Sequence, residues 1–93
     1  MKESAIENYF CWTVDRLGGR TWKFTSPANR GVADRIACMP DGSAHFVELK
    51  RPKGGKVSAL QMIFAAEMRR LDQRYAMLTT TGEIDAYFAS ISR

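Results

Sequence analysis

The chain has 93 residues, 45% hydrophobic and 26% charged, and its 14 Lys and Arg against 10 Asp and Glu give a net charge of +4. That length fits one domain, 1–93, with a small core burying roughly 60–65% of the unfolded surface. The modest basic excess is compatible with a polyanionic partner without requiring one, and no apolar run approaches the ~18–20 residues that cross a membrane.

Cys11 and Cys38 are too few for a disulfide scaffold and, with His45 as the only other soft ligand, make a poor zinc set. Both read as buried free thiols. No secretory leader is recognisable, so the protein reads as soluble and intracellular.

The first element is a helix. In "SAIENYFCWTVDRLGG", Ile6, Phe10, Val14 and Leu17 recur at helical spacing. Ser4 and Glu7 have the spacing of a capping box, and Gly18-Gly19 stops the helix. "RTWKFT", residues 20–25, alternates as a strand and "SPANRG" is a loop. "VADRIACM" and "AHFVELK" form two further strands joined by "PDGS", and "RPKGGK" is a basic, glycine-containing loop. "VSALQMIFAAEMRRLD" is a second helix, opened by a Ser58/Gln61 box, whose stripe of Val57, Leu60, Phe64, Met68 and Leu71 reads as core. "RYAMLTT" is a last strand and "GEIDAYFASI" a final helix. The order is α-β-β-β-α-β-α, a mixed α/β fold around a small sheet. Trp12 and Trp22 read as core or interface residues, and His45 has no evident ligand partners.

The stretch "HFVELKRP" sets Glu48 and Lys50 two positions apart on a strand, so both side chains leave the same face. The preceding turn, "MPDGS", indicates what lies across from them. Pro40 suits the first central position of a type I turn, Asp41 the second, and Gly42 the left-handed residue that closes a three-residue hairpin loop. Met39 then pairs with Ser43 and, counting outwards, Asp34 with Glu48. A four-residue loop would put the two acids on opposite faces. Facing carboxylates repel unless a cation binds between them. Two carboxylates, a lysine and room for a hard divalent ion suit metal-assisted phosphodiester hydrolysis.

"GVAD" followed about a dozen residues later by "ELK" resembles the signature of the PD-(D/E)xK nucleases, with Ala33 where many members have proline. The wider frame "SPANRGVADRI…HFVELKRPKGGKVSALQ" is similar to the VRR-NUC (virus-type replication-repair nuclease) branch over roughly residues 4–80. The resemblance implies a restriction-endonuclease-like core and a Mg²⁺-dependent endonuclease, with Mn²⁺ as a substitute. Asp34, Glu48 and the Leu49 carbonyl would hold the metal, and Glu7 resembles the first-helix glutamate that reaches it. Lys50 would position or deprotonate the attacking water, and Gln61 would contact the water, the metal shell or a phosphate. Glu7 and Gln61 are also readable as capping residues.

Gly31 would permit close backbone approach, or only a turn. Lys23, Arg30, Arg51, Lys53 and Lys56, with Ser58, are candidate DNA contacts near the predicted site. One site per chain suggests a two-fold homodimer, and the small members it resembles suggest a four-way (Holliday) junction as substrate in a bacterial or phage-infected cytoplasm. A nicking or flap nuclease, or a non-catalytic nucleic-acid-binding module, are the alternatives.

Overall fold

The computed structural model describes residues 2–26, 31–51 and 54–91. Its elements are α1 (Glu3–Arg16), β1 (Arg20–Lys23), β2 (Arg35–Cys38), β3 (Ala44–Leu49), α2 (Ala59–Arg70), β4 (Arg74–Leu78) and α3 (Thr81–Ala89), in the expected order. The strands form one sheet in the order β1-β2-β3-β4. β1/β2 and β2/β3 are antiparallel; β3/β4 is parallel, α2 making the crossover.

The hairpin follows its turn chemistry. The Gly42 N–H donates to the Met39 carbonyl at 3.0 Å and the Met39 N–H to the Ser43 carbonyl at 2.9 Å. Gly42 has φ +88°, and Asp41 Oδ1 accepts from the Ser43 N–H at 2.9 Å, an Asx-type lock on the turn. The resulting register pairs Arg35 with Val47, Ile36 with Phe46 and Ala37 with His45.

Strand alternation gives the sheet two unlike faces. One carries Ala37, Val47, Leu49 and Leu78, which pack with Ile6, Phe10 and Val14 of α1 and Ile84 and Phe88 of α3. Full burial of side chains of this size contributes roughly 1.5–3 kcal/mol each. Tyr9 of α1 donates to Asp85 of α3 at 2.6 Å across the outside of that layer. The other face carries Phe46, Glu48 and Tyr75 and meets α2, whose Phe64 ring lies 5.8 Å from that of Tyr75.

Both helix ends flanking the core show how local chemistry was satisfied. α1 ends in a Schellman motif: Gly18 at φ +86° donates to the Asp15 carbonyl, and Gly19 to that of Val14. α2 begins with the expected box, Ser58 Oγ accepting from the Gln61 N–H at 3.1 Å and Gln61 Oε1 from the Ser58 N–H at 3.0 Å.

Four expectations are corrected. The Ser4/Glu7 box does not form: α1 starts at Glu3 with Lys2 at its N-cap and no side-chain cap bond. With the helix starting at Glu3, Ser4 lies inside it and cannot cap it, and Glu7 meets Arg35 of β2 at 3.2 Å. The α2 stripe is not core, since Ala65 is the buried residue of that helix. Val57, Leu60 and Leu71 are 44%, 46% and 47% exposed. Cys38 is exposed and Cys11 half-buried, and Trp12 and Trp22 are about half exposed, which removes the core alternative for them and leaves the interface one. No helix of the described residues is long and apolar enough to cross a membrane.

Candidate active site

The α2-facing side of the sheet brings three sequence-predicted side chains into direct contact. Glu48 is 4% exposed. Its Oε2 accepts from the Gln61 side-chain amide at 2.9 Å and lies 3.6 Å from the Lys50 ammonium. A carboxylate this buried is costly unless its charge is met, and the Lys50 cation just past the end of β3 and an amide from α2 meet it. Gln61 does so while closing the cap of α2: its carbonyl serves the helix and its amide serves the acid. One side chain thus makes both the helix cap and a bond to Glu48.

Asp34 lies one pair beyond the last β2/β3 bridge, and the same register sets it opposite Glu48. Its carbonyl accepts from the Phe24 N–H at 2.8 Å, continuing the β1/β2 ladder by one pair. Asp34 is thus pinned in a cross-sheet row with Glu48, and one of its carboxylate oxygens is buried. Leu49 sends its side chain into the core. The Lys50 N–H donates to the Leu78 carbonyl on β4 at 3.0 Å. Through that trans peptide, the Leu49 carbonyl points the other way, toward the β2 side where Asp34 lies.

Gly31 has φ +89°, and a Cβ there would come within 2.4 Å of the Leu60 backbone. The segment entering Asp34 is therefore pressed onto the first turn of α2, beside Gln61. Both readings of this glycine apply, turn and close approach.

Other candidates stand apart. Glu7 is engaged by Arg35, whose partner Val47 faces the core, so the pair sits on the opposite side of the sheet from Glu48. No group of three or more His, Cys, Asp or Glu able to hold a metal gathers among the described residues. Lys23 pairs with Arg35 and shares that opposite side. Arg51 and Lys56 are exposed on the segment between Lys50 and Ser58, and Ser58 is occupied as the α2 cap. Arg30 and Lys53 lie outside the described residues.

Two features escaped sequence reasoning. Tyr75 pairs with Phe46 across the parallel β3/β4 ladder, on the face of Glu48. Burial first, then the charge of Glu48 and more weakly that of Asp34, raise its hydroxyl pKa. Only the parallel register could have placed it there. His45 is fully buried and bridges Ser43 Oγ (2.7 Å) and the Tyr87 hydroxyl (2.6 Å). Ser43 Oγ also lies 2.5 Å from Asp41 Oδ1. With the Ser43 hydroxyl donating to the Asp41 carboxylate, Nε2–H donates to Ser43, and in a neutral ring Nδ1 accepts from the Tyr87 hydroxyl. Burial, then the charge of Arg74, lower its pKa below 6.5.

One mixed sheet thus carries an acid pair across a hairpin and an E-x-K strand, with a glutamine of the next helix bonded to the glutamate. The fold is similar to that of a solved structure of a VRR_NUC domain, at TM-score 0.88, with 20% identity and 96% of each chain covered. The chain is 36% identical over 78 residues to "Putative nuclease p44" of Acyrthosiphon pisum secondary endosymbiont phage 1, covering 84% of this chain and 83% of that protein. No family model matches it. The chain belongs to the same family as this phage protein, and its fold is that of the VRR_NUC domain.

Proposed function

We propose that this VRR-NUC nuclease is a Mg²⁺-dependent, structure-selective DNA endonuclease acting on branched DNA as a two-fold homodimer in a bacterial or phage-infected cytoplasm, with the four-way junction as its leading substrate. The observation that carries the reading is the buried Glu48 carboxylate, held between Lys50 and Gln61 and set by register opposite Asp34.

The donor set fits a hard cation. Asp34, Glu48 and the Leu49 carbonyl offer oxygens only, and Mg²⁺ typically takes one or two carboxylates plus waters and phosphate oxygens. Mn²⁺ fits the same set. When bound, such an ion polarises the phosphate and stabilises the leaving 3′ oxygen. The chain's own groups supply the rest. Lys50 orients the attacking water and offsets the charge that builds on phosphorus. Gln61 holds Glu48 in place through its side-chain amide. Arg51 and Lys56 suit contacts to the backbone, which fix position without reading sequence. Glu7 enters the metal reading through family resemblance alone, and in this structure it ties α1 to β2.

A panel of four-way junction, flap, nicked and linear DNA, cut with and without Mg²⁺, tests the reading. The junction is expected to be cut fastest, leaving 5′ phosphates, with no cutting in EDTA. Equal rates on all four substrates would remove the structure selectivity. Binding with no cleavage in any divalent ion would favour a non-catalytic module.

A further inference from the structure

On the acid-bearing face the register sets two rows of side chains next to each other. One runs Phe24, Asp34, Glu48, Met77; the other runs Trp22, Ile36, Phe46, Tyr75. Thr21 contacts Cys11 of α1 at 3.5 Å, which fixes its neighbour Trp22 to the opposite side of the strand, the side of the acids. α2 packs over β4 and leaves the β1 edge of this face open. Trp22 is 50% exposed there and Phe24 37%. The Arg20 guanidinium lies over the Trp22 ring, 5.6 Å from its centroid. Arg20, Trp22 and Phe24 thus form a strip along the edge strand, and its last member is paired with Asp34.

We infer that this strip is a base-stacking site: Trp22 takes the face of a base at the branch point of the DNA, and Arg20 takes a phosphate beside it. The inference rests on the nuclease reading for its DNA, and names the part of that DNA the chain touches. The chemistry of the strip selects a nucleotide over a protein. A flat ring carrying a guanidinium offers a π-face and a cation, the complements of a base and its phosphate. β1 is Arg-Thr-Trp-Lys, two cations and no acid, in a chain of net charge +4. Its place selects DNA at the cutting site. Two residues along a strand span ~7 Å, so Trp22 stands about two 3.4 Å base steps from the row that holds Asp34 and Glu48.

The same placement accounts for structure selectivity. Inside an unbroken duplex both faces of each base are covered by neighbours. A base at a branch has lost one neighbour, and an exposed indole beside the acids can replace it without reading a base edge. Trp12 is chemically alike, with Arg16 4.8 Å from its ring centroid. It lies on α1, on the other side of the sheet from the acids, and serves as the control.

The test is fluorescence and binding of the full chain with a four-way junction, a flap and a linear duplex, in EDTA so that none is cut. Trp12→Phe leaves Trp22 as the sole tryptophan. Junction and flap are expected to quench its emission, and linear duplex is not. Trp22→Ala is expected to weaken junction binding roughly 10-fold and linear binding less than roughly 2-fold. Trp22→Phe should recover most of the loss, and Trp12→Ala should change neither affinity. Unquenched Trp22 emission overturns the inference. So does a Trp22→Ala chain that binds the junction as tightly as the wild type, that loses equally on linear duplex, or that loses affinity because it no longer self-associates in sedimentation. Quenching by branched DNA in a protein that cuts nothing in Mg²⁺ leaves the site standing and removes the nuclease reading. A wild type that cuts the junction with Trp22 unquenched does the reverse.

Discussion

Gln61 donates to Glu48 over 2.9 Å from one end of its amide and accepts from the Ser58 N–H with the other. One side chain therefore ties the start of a helix to a buried acid. Gln61→Ala is expected to cost about 1–2 kcal/mol, from half a capping box and one charged hydrogen bond, and to lower cleavage at least roughly 10-fold. Gln61→Glu restores the cap acceptor but sets a carboxylate against Glu48. It should regain helix stability without regaining cleavage. Thermal unfolding and cleavage rates, measured on both variants, separate the two roles.

Gly31 and Gly42 have nearly the same positive φ, +89° and +88°, in different surroundings. A Cβ at Gly42 meets nothing within 4 Å; one at Gly31 meets the Leu60 backbone. Gly42→Ala is expected to cost only the left-handed strain, roughly 1 kcal/mol. Gly31→Ala adds a backbone clash and is expected to cost at least roughly twice as much. Urea denaturation of the two variants gives the comparison, and equal losses would mean that the segment before Asp34 is not pressed onto α2.

The neutral His45 makes stability depend on pH. Its folded pKa lies below 6.5, so the unfolded chain binds the proton more readily. Stability from this group is complete above about pH 6.5 and falls as pH drops toward the folded value, by at most about 1.4 kcal/mol per pH unit. Asp41, its pKa lowered chiefly by the Ser43 hydroxyl, adds a loss of the same sign only below about 3.8. Midpoints of urea unfolding between pH 5 and 8 should fall on the acid side, and His45→Phe should flatten that slope.

Glu7 and Arg35 are 29% and 15% exposed at their side chains and join α1 to the strand behind Asp34. Glu7→Gln and Arg35→Gln are each expected to cost roughly 1 kcal/mol, and the double variant little more than either. A fully additive double-mutant cycle would mean that the pair contributes nothing.

The acid pair was legible before the structure because a five-residue turn sets a strand register, and register sets faces. Ser58 and Gln61 were legible because capping acts within one helical turn. Ser4 and Glu7 carry the same pattern and fail: the helix starts one residue before Ser4, at Glu3, and Glu7 meets Arg35, twenty-eight positions away in sequence. The α2 stripe failed for a different reason. Helical spacing says which residues share a face, not whether this chain covers that face. His45 was opaque because its partner Tyr87 comes from the last helix, and Tyr75 because parallel pairing through a crossover leaves no short-range signal.

Cleavage of branched DNA in Mg²⁺ by the wild type, Glu48→Ala and Lys50→Ala tests the central claim most directly. The wild type is expected to cut, and each variant to lose at least roughly 100-fold in rate while remaining folded. Either variant cutting as fast as the wild type would contradict the assignment of Glu48 and Lys50 to the reacting centre.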